Sequence, residues 1–290
     1  MGVKTKFNVA LLAVFALGFG AAWFYLEQQF VQAARNEVLQ NARIMLSAAN
    51  AVRGYTVREV RPLVQQLETG RFEPTTVPSY AAQTNFRIAQ QENREFTYKE
   101  AALNPTNPND RATDWETDFI TTFRNNRSLT ELIGERTTPT GRVLTLARPV
   151  TITDEGCLVC HSTPDRAPRS MVAAYGSSNG FGWQMNETIG AQLVSVPMEL
   201  ALRQATNNLH SAMVILAVVF FAVMVVLNLL LNMLVIRPVL RMAGVATAVS
   251  LGQAGDEDFD TTGKDEISEL GRAFTRMRRS LDQAMKMLGS

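Results

Sequence analysis

The chain has 290 residues, with 28 Lys and Arg against 27 Asp and Glu, for a formal net charge of +1. A nucleic-acid-binding face is strongly basic, so this balance argues against a nucleic-acid partner. The 46% of hydrophobic residues are concentrated in two blocks, and the segments between and after them are of ordinary polarity.

The first block, Phe7 to Leu26, holds no ionic residue and is long enough to cross a hydrocarbon core of about 30 Å as a helix. Lys4 and Lys6 precede it. A cleaved signal peptide is the rival reading, because Gly20-Ala21-Ala22 supplies small residues near its end. An uncleaved anchor is favoured by continuity: Val31, Ala34, Val38, Ala42, Met45, Ala49 and Val52 extend the apolar stripe at helical spacing. This helix is expected to run from Glu27 to about Arg61 and to end at Pro62, with Gly54 a weak point within it.

From Gly70 to Asp114 the chain is rich in Pro, Asn, Thr and Gly, and Asn104-Pro105-Thr106-Asn107-Pro108 is a turn cluster. Trp115 to Asn125 reads as a helix, and Arg142 to Ile152 as a strand; Glu187 to Val196 offers another strand before Pro197. Met198 to His210 is expected to be helical and to lead into the second apolar block, Met213 to Ile236. Arg237 and Arg241 follow that block at once, so both basic flanks belong on the cytoplasmic side and the region between faces outward. Asn228 and Asn232 lie one turn apart inside it, where they are expected to face another helix rather than lipid.

The chain contains two cysteines and two histidines, and three of these four fall in Cys157-Leu158-Val159-Cys160-His161. This is the spacing of c-type haem attachment: the two thiols reach the two vinyl groups of one porphyrin, and the following imidazole is the proximal iron ligand. A structural disulfide has no use for His161, a zinc site lacks further ligands, and a thioredoxin-like pair expects a different setting. One covalent haem c is therefore expected on Cys157 and Cys160, with iron bound by His161. For the opposite face of the iron, Met45 is the candidate sixth ligand, against the alternative of ordinary helical core. Met171, Met185 and Met198 stand behind it. Arg53 and Arg111 are candidate partners of the haem propionates, and Trp115, Tyr175, Phe181 and Trp183 are candidate walls of the pocket.

The runs Ala51-Val52-Arg53-Gly54-Tyr55-Thr56, Val77-Pro78-Ser79-Tyr80-Ala81-Ala82, Asn104 to Pro108 and Cys157 to Pro164 resemble a bacterial family of PAS-like c-type haem sensor domains. Tyr175-Gly176, Gly180-Phe181-Gly182-Trp183 and Ile189-Gly190-Ala191-Gln192 extend the resemblance, which covers most of Ala42 to Pro197. It implies a PAS-like fold and a haem cofactor, and members of the family are commonly followed by HAMP segments.

Beyond Arg237, Val239, Met242, Ala246 and Val249 form a stripe ending at Gly252. A second stripe runs through Ile267, Leu270, Phe274, Met277, Leu281, Ala284 and Leu288, and heptad spacing of this kind demands a partner helix. With Pro238 at the start and Asp265-Glu266-Ile267 at the restart, the tail resembles a HAMP domain, a parallel four-helix coiled coil formed by two chains. Asp265 is expected to cap the second helix, beside Glu266 at its positive end. The rival is a pair of amphipathic helices lying on the membrane, favoured by Arg272, Arg276, Arg278 and Arg279.

These readings give an α+β PAS-like periplasmic domain between two transmembrane helices, followed by an all-α HAMP domain. The expected boundaries are a cytoplasmic N-terminus at 1–6, membrane helices at 7–26 and 211–236, a periplasmic haem domain at 27–209 and a cytoplasmic HAMP domain at 237–290. The expected partners are the bacterial inner membrane, a second copy of the chain through HAMP, and an unidentified downstream signalling protein or redox partner, the output being expected on another protein unless the sequence is a fragment. A sensor responding to redox state or a small ligand is expected ahead of a membrane-anchored electron-transfer cytochrome, which needs no capped helix break in the cytoplasm. An enzyme is not expected, because no distal acid-base pair accompanies the haem motif.

Overall fold

The structure, a computed structural model, describes residues 2–67, 71–92, 96–139, 141–251, 259 and 262–288. It divides into two compact units, one of Leu26–Leu209 and one of Met1–Tyr25 with His210–Ser290.

Helix α1, Val3–Tyr55, is the long apolar helix expected from the sequence. It does not end at Pro62. A π-helical turn, Thr56–Val60, joins it to α2, Arg61–Gln66, with Pro62 in the first turn of α2. Proline is tolerated in a first turn, where its missing N–H is not needed, and the wider π turn relieves the crowding of its ring against the preceding carbonyl.

In the Leu26–Leu209 unit, α3, Pro78–Ala89, leads into strand β1, Thr97–Ala102. Helix α4, Asp114–Asn125, follows, and then β2, Leu132–Thr138, and β3, Gly141–Thr151. Two short helices, α5 (Gly156–His161) and α6 (Arg169–Tyr175), precede β4, Thr188–Pro197. The strands form one antiparallel sheet in the order β1-β4-β3-β2, with Leu146 opposite Val194 and Tyr98 opposite Val194 across the two sides of β4. Central β4 is buried along most of its length, which suits a run of apolar and small residues interrupted only by Gln192.

Alternation along the strands sends side chains to two faces. On one face Leu144, Leu146, Val194 and Val196 pack against Val38, Ala42, Leu46 and Ala49 of α1, with Ala82 and Phe86 of α3. On the other, Ala101, Ala147, Ala191 and Leu193 pack against Ile120 and Phe123 of α4. The start of α4 is fixed by Glu116, whose Oε2 accepts from the Thr113 backbone N–H at 2.8 Å and from Lys99 Nζ at 2.7 Å. A third, smaller cluster at the end of the sheet joins Ala102, Ile152 and Ile189 to Cys157, Leu158 and Trp183. It anchors α5 to the sheet.

Among the described residues two helical segments are long and apolar enough to cross a membrane, one in the N-terminal part of α1 and one in helix α7, Glu199–Leu231. Phe15 stacks on Phe220 with ring centroids 4.7 Å apart, and Trp23 lies against His210 at 6.2 Å. Asn228, half-buried, donates from Nδ2 to the Met224 carbonyl of its own helix at 2.9 Å. Asn232 opens a second π-helical turn, Asn232–Ile236, and Pro238 follows in the first turn of α8, Arg237–Ser250. Both prolines thus enter a helix directly after a widened turn. Met242 and Val245 of α8 are buried with Phe259, against Ala246, Val249, Ile267 and Phe274. Helix α9, Glu266–Leu288, begins where the Ser268 N–H donates to Asp265 Oδ1 at 2.8 Å, the expected cap. Gly252 and the side chains of Leu281 and Leu288 lie outside the described residues.

Candidate functional site

Helix α5 is launched from the end of β3 by local hydrogen bonds. The Gly156 N–H donates to Asp154 Oδ1 at 2.8 Å, and the Asn186 N–H donates to the Ile152 carbonyl at 2.8 Å. Residues three and four apart on a helix share a face, so one turn presents Cys157, Cys160 and His161 together. All three line a cavity of about 1210 Å³, at or above the ~300–1,000 Å³ of ordinary small-molecule sites. Both cysteines are free thiols. Burial pushes each thiol above its ordinary pKa, opposed in both by the positive charge of Arg61.

His161 is held on two sides. Its Nδ1 lies 2.7 Å from the Gly180 carbonyl oxygen, which can only accept, so Nδ1 carries the proton and the neutral ring keeps its lone pair on Nε2. Burial lowers the pKa of the imidazole, and the bond to Gly180 works against that shift. Trp183 stacks on the ring at 3.8 Å between centroids and 15° between planes.

The strap that carries Gly180 is itself tied down. The Gly182 N–H donates to the Ser162 carbonyl at 2.9 Å, the Trp183 N–H to the His161 carbonyl at 3.2 Å, and the Gly180 N–H to Asn104 Oδ1 at 3.2 Å. Gly180 has φ of +79°, and a Cβ there would fall 2.0 Å from Thr106 Oγ1. Only glycine brings this carbonyl to His161 past the Asn104 to Pro108 turn.

The facing wall is helical. Asn50, Arg53, Gly54, Val57, Arg58, Arg61 and Val64 line the cavity at steps of three and four, across the π turn between α1 and α2. Polar groups on β1 and β4 continue from Arg53, which forms an ion pair with Glu100. Tyr98 Oη donates to Glu100 Oε1 at 2.7 Å, and Gln192 Nε2 donates to Tyr98 Oη at 3.1 Å and Asn50 Oδ1 at 2.9 Å. Gln83 Nε2 reaches Asp110 Oδ1 at 3.0 Å. Burial raises the pKa of Tyr98, reinforced by the Glu100 carboxylate, and burial also raises that of Asp110.

The structure brings Arg53, Tyr175 and Trp183 to the cavity with Cys157, Cys160 and His161. It does not bring Met45, Arg111, Trp115 or Phe181 to its lining. Met45 packs against the core of α1, β3 and β4. Trp115 meets Phe119 edge to face at 5.8 Å, under the Arg136 guanidinium at 4.0 Å, because α4 covers the opposite face of the sheet. Arg111 reaches Asn179 Oδ1 at 3.5 Å, and Phe181 contributes its backbone carbonyl to Asn104 Nδ2 at 3.4 Å. Of the four methionines considered as sixth ligand, Met171 alone lines the cavity. Sequence reasoning missed Gln83, Tyr98, Glu100 and Asp110; the alternation Tyr98-Lys99-Glu100 was the one local sign that two polar groups share a strand face.

Comparison with known proteins gives two family matches and one solved structure. The Tll0287-like family model matches residues 28–197, and the HAMP domain model matches residues 230–283. The crystal structure of the cyanobacterial heme-protein Tll0287 is 17% identical, with a TM-score of 0.44, covering 56% of this chain and 95% of that one. No curated protein matches. The family whose motifs the sequence resembled is the family matched: the chain belongs to the Tll0287-like family over 28–197 and carries a HAMP domain after it.

Proposed function

We propose that the chain is a membrane-bound haem sensor, in which the redox or small-ligand state of one covalent haem c is relayed through the HAMP domain to a separate output protein. The observation that carries this reading is the presentation of Cys157, Cys160 and His161 on one helical turn, facing a cavity of about 1210 Å³. These residues fit the group. Each thiol would add across one vinyl double bond, its sulfur to one carbon and its hydrogen to the other, with nothing lost. When bound, the haem would supply a one-electron iron centre able to take up a small ligand.

The chain's own residues prepare this chemistry. Gly180 fixes the His161 tautomer through Nδ1, and Trp183 holds the ring plane, so Nε2 is free to bind iron without reorganisation. Burial favours the neutral imidazole over its protonated form, which a metal ligand requires. Arg53, in the last turn of α1, lines the same cavity and is the natural receiver of a change in charge there.

The cationic flanks Lys4, Lys6, Arg237 and Arg241 support a topology with both membrane-adjacent ends cytoplasmic and the haem domain, read as PAS-like, in the periplasm. Leu270 and Met277 of α9 remain 43% and 59% exposed in the single chain, which supports a homodimer that covers them in a four-helix bundle. An anchored electron carrier has no use for such an element, and nothing in the site favours an enzyme.

The test is production of the full chain in cells that mature c-type cytochromes. Denatured protein is expected to keep its haem stain and a mass increment of one haem, and Cys157→Ala with Cys160→Ala to lose both. Recovery of an intact pair of free thiols from such cells would overturn the reading.

A further inference from the structure

A haem carries two propionates, and their carboxylates need positive charge at the site that holds them. Arg53 is committed to Glu100, and Arg111 is off the cavity. Arg87 is turned back on its own helix, bonding the Gln83 carbonyl at 3.4 Å and Thr84 Oγ1 at 2.8 Å. Arg71 also lines the cavity and already has a partner, and Arg58 and Arg61 differ from all four. Both line the cavity from the π turn and the start of α2, one helical face beyond Arg53, and among the described residues neither forms an ion pair. Arg58 is exposed and Arg61 half-buried.

The local backbone explains their position. The Arg58 guanidinium folds back over Gly54, where an added Cβ would lie 3.1 Å from Nη2, so the glycine in α1 makes room for it. Arg61 Nε donates to the Thr76 carbonyl at 3.4 Å, which leaves its two terminal nitrogens for another partner. Arg61 lines the same cavity as Cys157 and Cys160, so its guanidinium and the thiols address one space.

Resting on the haem reading above, we propose that Arg58 and Arg61 form the propionate-binding edge of the cavity, in place of Arg53 and Arg111. Guanidinium groups suit this task because they bind carboxylates in a bidentate, charge-assisted geometry. Their positive charge also favours the reduced, less positive iron. Removing it therefore lowers the reduction potential.

The test is potentiometric titration of the detergent-solubilised full chain carrying Arg58→Gln with Arg61→Gln. Covalent haem is expected to remain, with a shift of about tenfold in the reduction equilibrium toward the oxidised form, which is ~59 mV for one electron. Arg58→Lys with Arg61→Lys is expected to retain most of the original potential, and Arg35→Gln, outside the cavity, all of it. The single variants Arg58→Gln and Arg61→Gln, each giving part of the shift, serve where the double variant does not accumulate. Covalent haem with an unchanged potential in the glutamine variants overturns the propionate edge alone. A wild-type chain without haem overturns the haem reading and this inference with it.

Discussion

The imidazole of His161 depends on a backbone carbonyl brought within 2.7 Å by Gly180, a residue at φ of +79° whose absent side chain leaves space for Thr106. Gly180→Ala adds two costs at this point, a left-handed backbone for a residue with a Cβ and a contact of 2.0 Å with Thr106 Oγ1. Residues held in sparsely populated backbone regions cost on the order of 1–3 kcal/mol. The variant is expected to lower the melting temperature of the haem domain and to change the absorption spectrum of the protein, because the Nδ1 acceptor is displaced. Thr106→Ala in the same chain should recover part of the stability, since it removes the closest atom but not the backbone strain. A Gly180→Ala protein with the melting curve and spectrum of the wild type would show that the carbonyl is not fixed by this glycine. The attachment motif proposed for haem was legible in the sequence because it is local, five adjacent residues. The strap was not, since a loop of glycines states nothing about which distant ring its carbonyl will meet.

Among elements, α1 is fastened to the sheet by charge as well as by apolar packing. Glu135 pairs with Arg35 at 2.6 Å and Arg142 at 3.0 Å, and Glu131 with Arg43 at 2.8 Å and Arg148 at 3.0 Å. The Arg35 hydrogen bond is the main influence on Glu135 and, with that of Arg142, holds its pKa below the ordinary 4.5 against burial. For Glu131 burial acts upward, but the bonds from Arg43 and Arg148 outweigh it and its pKa is also lowered. A carboxylate with a depressed folded pKa contributes stability that is present above its unfolded value and lost as pH falls through the folded one. Stability of the domain is therefore expected to fall as pH drops below about 4.5. Glu131→Gln with Glu135→Gln should be less stable than wild type near neutrality and should lose less on acidification. Exposed pairs are each worth about 0.2–1 kcal/mol, so the network sets a modest effect. Thermal melts of both proteins across the acid range check it, and parallel acid profiles would refute it. These elements were unevenly legible. Strong local patterns marked α1, α4, β3 and β4. In contrast, α3, β1 and β2 carry short, mixed sequences whose apolar residues gain meaning only from the sheet they join, and Pro62 hid a widened turn that lets the helix pass.

At the scale of the whole molecule, the proposed sensor requires that haem state alter the free energy between two packings of the HAMP helices. Helix α1 is continuous from Val3 to Tyr55, and its last turn carries Arg53 to the cavity wall. A signal that begins at the cavity thus has a covalent element to act on, while α7 continues through a π turn into α8. The reporter must sit where two copies would meet. Met242 is a poor choice, because it is buried at 6% exposure with Val245 and Phe259 inside the single chain. Leu270 belongs to the same helix as Ile267 and Phe274, which are partly buried against Met242 and Val245, yet is 43% exposed, as a residue awaiting a partner should be. Leu270→Cys in the full chain is expected to crosslink between copies at a rate that changes on haem reduction or on carbon monoxide binding. A coupling free energy of about 1–3 kcal/mol corresponds to an equilibrium change of roughly 5- to 150-fold, well within reach of the assay. His161→Ala is expected to abolish the dependence while the crosslink itself persists, which separates loss of signalling from loss of the dimer. If crosslinking proceeds at one rate in the oxidised, reduced and carbon monoxide-bound states, the HAMP element is a passive clamp and the relay is refuted.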